Sequence, residues 1–102
     1  MITKTLDELH LEIVQWAEER DLLDYDNRKS QALKVAEEAG ELCGGVVKGK
    51  REDVYDAIGD VFVTIVILCE QYDYNFNGIV ENVTDIIKKR SGKTIGGAFI
   101  KD

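Results

Sequence analysis

A chain of 102 residues, 44 % apolar and 32 % charged, is expected to fold as one soluble globular domain spanning 1–102, with a core that is feasible but not large. Its net charge of −7 argues against a duplex-binding protein, which needs a basic face to neutralise phosphates, and so against nucleic acid as a partner. Nucleotides stay open, because bound metal ions reverse the local field.

In chain order, the first segment "MITKTLDELHLEIVQW" carries Asp7, Glu8 and Glu12 and is not expected to be a secretory leader. It is read as a helix from about Thr5 to Arg20, with Leu6, Leu9, Ile13, Trp16 and Ala17 on one stripe and Thr5 to Glu8 as a capping box. The polar stretch "DLLDYDNRKS" leads to a second helix, about Ser30 to Lys48, closed by Gly49 at a C-cap. A third runs from about Glu52 to Gln71. Within it "VFVTIVIL" alone reads as a strand, but "DVYDAIGD" enters it without a turn signal, which favours a helix buried on every side. Its longest apolar run, Val61 to Cys69, is too short for a bilayer. The fourth helix spans about Phe76 to Arg90, and "SGKTIGGAFIKD" ends as a glycine-rich tail or short extended piece. The expected fold is therefore all-α, a four-helix bundle. Because helices with too small a shared core often complete it with another subunit, a homodimer or homotetramer is expected. Cys43 and Cys69 lack metal-knuckle spacing and are read as reduced core residues of a cytoplasmic protein.

Two of these helices gather carboxylates. At about 100° per residue, Lys34, Glu37, Glu38, Glu41, Gly44, Gly45 and Lys48 share one arc of the second helix. Leu33, Val35, Ala36, Ala39, Gly40, Leu42, Cys43, Val46 and Val47 share the other. On the third helix Asp53, Asp56, Asp60 and Thr64 fall together. Solvated faces usually alternate sign at i, i+4, whereas Glu37 with Glu41 and Asp56 with Asp60 repel. Asp60 also stands at the mouth of the apolar run, where an unpaired charge is costly. A hard cation, Mg²⁺ or Mn²⁺, resolves both conflicts by taking oxygen ligands from two antiparallel helices and bridging them to phosphates. Gly44 and Gly45 would let a substrate or another chain come close. A di-iron bundle is excluded, since it needs Glu-x-x-His motifs and His10 is the only histidine.

"EEAGEL" followed by "DAIGDVFV", with "QALKVAEEAGEL", "KGKRED" and "KKRSGKTIGGAF" in order, resembles the MazG-like all-α nucleoside triphosphate pyrophosphohydrolases, especially small bacterial and phage members. The resemblance implies Mg²⁺-dependent cleavage of a (d)NTP to a (d)NMP and pyrophosphate, by dimers or tetramers of a MazG-like bundle. Carried over by position, Glu38 and Glu41 match the first metal-binding pair and Asp60 the last ligand, with Glu37 the acidic residue before the pair. The family's remaining Glu falls on Ala57, and Asp56 is the obvious substitute.

Under this reading Glu38, Glu41, Asp56 and Asp60 hold metal, and Glu37 or Glu38 takes the proton of the attacking water. Lys34, Lys48, Arg51 and Arg90 are candidates to meet the phosphates, against the simpler reading of basic side chains at solvated helix ends. Trp16 and Gln31 are candidates for the base, resting on the resemblance, with Trp16 otherwise a core residue. Two rivals are a phosphoribosyl-ATP pyrophosphohydrolase-type enzyme and a non-catalytic helical protein whose acidic face binds a basic partner.

Overall fold

The computed structural model describes residues 3–102 and is mostly helical. α1 spans Leu6–Glu19, a 3₁₀ turn Tyr25–Asn27 leads into α2 (Arg28–Lys48), and α3 (Arg51–Gln71) and α4 (Phe76–Lys88) follow. The tail is not merely extended. It forms an antiparallel hairpin, β1 (Gly92–Ile95) and β2 (Ala98–Lys101), so the chain is not wholly α. Gly96 and Gly97 turn it at φ 58° and 81°, the doubly positive geometry that two-residue hairpin loops favour and that glycine adopts without strain.

The caps follow the local chemistry. The Thr5 hydroxyl accepts from the Glu8 N–H at 3.2 Å, and Asn75 Oδ1 accepts from the Gly78 N–H at 2.9 Å. Asp24 caps the 3₁₀ turn through the Asp26 N–H at 2.8 Å, which carries the start of α2 two residues ahead of Ser30. α2 ends on Gly49 at φ 69°, and the Lys50 N–H reaches back to the Gly45 carbonyl at 2.9 Å. That tight link folds α3 against α2 as an antiparallel pair, the main packing unit of the chain. Gly45 is buried where the two helices come closest: a Cβ there would lie 3.2 Å from Val54 Cγ2.

Side-chain amides fasten the pair to its surroundings. Gln31 Nε2 donates to the Thr64 carbonyl at 3.0 Å, and Gln71 Nε2 to the Leu22 carbonyl at 2.7 Å. The buried core among the described residues is small: Ala17, Ala57, Val66, Ile67 and Cys69. Three expectations change here. α3 is helical through "VFVTIVIL" but not buried on every side, since Tyr55, Ile58 and Ile65 are exposed. One chain has too few helices to surround it. Cys43 is exposed, unlike Cys69, because α2 turns the stripe Gln31, Val35, Glu38, Leu42 and Gly45 towards α3 and leaves Leu33, Val46 and Val47 bare. Asp60 is exposed, so the desolvation expected of it does not arise in the single chain.

Candidate active site and metal centre

The α2–α3 pairing brings the two acidic faces together across an open cleft of about 540 Å³. From α2 it takes Glu37, Glu41, Gly44 and Lys48, and from α3 it takes Asp53, Asp56, Ala57 and Asp60. Gly44 leaves the floor open, with nothing within 4 Å of where its Cβ would stand. Adjacent glycines thus divide the work: Gly45 permits helix contact and Gly44 keeps space.

Oxygen atoms of Glu37, Glu38 and Glu41 lie within 4.8 Å of one another. Glu38 stands at the helix contact, half-buried, and its Oε2 is covered without a hydrogen-bond partner among the described residues. Its carboxyl is raised from its ordinary pKa, first by desolvation, then by the hydrogen bond with Glu41 and the charges of Glu41 and Asp60, with Lys34 opposing. Lys34 is only loosely held, 3.4 Å from Glu37 Oε1 at an exposed position. The penalty expected at Asp60 thus falls on Glu38. A covered carboxylate oxygen without a hydrogen-bond partner, clustered with two further carboxylates, is a set of oxygen ligands that fits a hard divalent cation.

The other expected residues divide. Lys48 lines the cleft at the loop end, whereas Arg51 and Arg90 are exposed and do not line it. Gln31 is buried with its amide on Thr64, and Thr64 itself turns into the helix contact, its hydroxyl donating to the Val61 carbonyl at 2.7 Å. Trp16 is 46 % exposed, so the core alternative fails in the single chain, and the Arg20 guanidinium stacks 4.4 Å from its ring. Asp53, on the same face of α3 as Asp56 and Asp60, also lines the cleft, as does Lys50 from the basic cluster at the α2–α3 link. Asp56 does share the cleft wall with Asp60, and buried Ala57 lies between them.

The family model for the MazG nucleotide pyrophosphohydrolase domain matches residues 26–95. Those bounds take in both acidic helices and α4 and leave out α1. Over 66 residues, 65 % of the chain, the sequence is 47 % identical to an uncharacterized 18.2 kDa protein in the rep-hol intergenic region of Haemophilus phage HP1 (strain HP1c1). The chain spans 40 % of that relative's length. No solved structure matches.

Proposed function

We propose, for a chain that belongs to the MazG nucleotide pyrophosphohydrolase family, that it hydrolyses a nucleoside triphosphate to the monophosphate and pyrophosphate in the α2–α3 cleft. The observation that carries this reading is the covered, unpartnered Glu38 Oε2 within the Glu37–Glu38–Glu41 cluster, of which Glu37 and Glu41 line the cleft opposite Asp56 and Asp60. Glu38, Glu41, Asp56 and Asp60 are the proposed holders of Mg²⁺, with Mn²⁺ a substitute. Bound there, the ion supplies charge neutralisation for the phosphates and a more acidic water.

The chain's own groups have separate tasks. Lys48 and Lys50, at the end of the cleft where α2 meets α3, offer cations to the phosphate tail. Glu37 or Glu38 accepts the proton as water adds to phosphorus and pyrophosphate leaves. Asp53 and Asp56 keep the cleft wall anionic, so an uncomplexed nucleotide is repelled and a cation-bound one is admitted. Trp16, exposed and with the Arg20 guanidinium over its ring, is the proposed contact for the base. Homo-oligomerisation completes this proposal.

The test is pyrophosphate release with Mg²⁺ across a panel of standard and modified nucleotides. Release from at least one nucleotide, lost in Glu41→Gln, supports the proposal. A protein that releases none, and whose melting temperature ignores Mg²⁺, is a binding module instead.

A further inference from the structure

The C-terminal hairpin is unfinished as a folding unit. Every residue of both strands is exposed, Ile95, Phe99 and Ile100 among them. A lone two-stranded hairpin is marginal in water and needs a further surface to cover its apolar face. The register pairs Lys93 with Ile100 and Ile95 with Ala98, so these four side chains share one face. On the opposite face Phe99 crosses over Gly92, where a Cβ would fall 2.7 Å from the ring. The second face is thus partly closed by its own aromatic residue. The first is bare.

A matching surface lies away from the acidic cleft, with which it shares no lining residue. It is an open cleft of about 590 Å³ beside α1 and the start of α4, walled by Leu11, Phe62, Phe76 and Val80. Asp7, Glu70 and Asp73 edge it, and no lysine or arginine lines it. His10 stacks on Phe76 with centroids 5.8 Å apart, and its Nε2 is buried there without a partner among the described residues. The arm has the opposite charge. Lys88, Lys89, Arg90, Lys93 and Lys101 stand against Asp102 alone, while the rest of the chain is strongly acidic.

We propose that the hairpin is an exchanged arm whose Ile95–Ala98–Ile100 face docks in this apolar, acid-edged cleft of a second copy, which returns the contact through a two-fold axis. The radius of gyration agrees: 15.8 Å, against about 13 Å for a compact chain of this length, describes a subunit shaped to be completed. Apolar α4 residues next to the arm, Val83, Ile86 and Ile87, are also exposed and extend the area a second copy can cover. Lys93, which shares that face, then meets the acidic edge formed by Asp7 and Asp73, and Lys101, on the opposite face, adds to the arm's positive charge. The proposal concerns assembly and does not depend on nucleotide hydrolysis.

Sedimentation equilibrium on the full chain tests it. Lys93→Glu combined with Lys101→Glu should weaken self-association at least tenfold at low salt, and Asp7→Lys combined with Asp73→Lys should do the same. All four substitutions together should recover a large part of it. Far-UV circular dichroism checks that each variant keeps its helices. Independently, Leu11→Cys with Ile100→Cys, in a Cys43→Ser background, should give an intersubunit disulfide and a dimer band on a non-reducing gel. The proposal is overturned by a parent chain monomeric at all concentrations, by arm variants that associate as tightly as the parent, by no recovery in the fourfold swap, or by an intrachain disulfide.

Discussion

Glu38 bears a cost that its neighbours do not. Its Oε2 is covered without a hydrogen-bond partner among the described residues, and desolvation with the nearby Glu41 and Asp60 charges raises its pKa. A cation that binds only the folded form relieves this, so millimolar Mg²⁺ should raise the melting temperature. Glu38→Gln and Glu41→Gln should each abolish that rise along with turnover, and full turnover in Glu41→Gln would remove the metal reading. Asp56 is a subtler case, because it stands on the cleft wall and is the proposed substitute for the ligand that the resemblance places at Ala57. Asp56→Asn should weaken Mg²⁺ binding nearly as much as Asp60→Asn without unfolding the chain. If Asp56→Asn is silent and Ala57→Glu raises activity, the site works with one ligand fewer.

The helices explain which substitutions act on stability and which on chemistry. Gly44 faces open space, so Gly44→Ala should stabilise α2 by about 0.5–1 kcal/mol, through lost backbone freedom in the unfolded chain. The added methyl intrudes on the cleft, so turnover should fall while the melting temperature rises. Equal turnover would mean that substrate does not approach that floor. Gln31 tests the α2–α3 clamp. Its amide is spent on the Thr64 carbonyl, so Gln31→Met should lower stability by about 0.5–1.5 kcal/mol in denaturant titration. A change confined to KM would instead return Gln31 to the nucleotide base.

A chain that leaves Leu33, Val46, Val47, Ile58 and the α4 stripe exposed buries little apolar surface alone. Net stability is a small remainder between large opposing terms, so uncovered apolar residues of this size decide whether the fold persists. The melting temperature should therefore rise with protein concentration, as it does when folding and association are linked. A melting temperature independent of concentration over two decades would contradict an oligomeric native state. Among the described residues, no helix is long and apolar enough to cross a membrane.

The helices were legible before any coordinates because their signals are local. Thr5 with Glu8, Gly49 and the 3.6-residue spacing act within a few residues, and the same spacing aligns Glu37 with Glu41 and Asp56 with Asp60. The ordered motifs likewise pointed to the family that matches residues 26–95. What remained hidden depends on which stripe of one helix meets another. Nothing local dictates that α2 presents Glu38 and Gly45 to α3 and leaves Cys43 outside, or that desolvation falls on Glu38 rather than Asp60. The hairpin was hidden for a related reason: a strand pair is stabilised across the turn, and "GKTIGGAFIK" is too short for alternation to stand out from a flexible tail. Helix periodicity is a property of the chain, whereas burial belongs to the contact between faces, and only the tertiary arrangement chooses among faces that are nearly equally apolar.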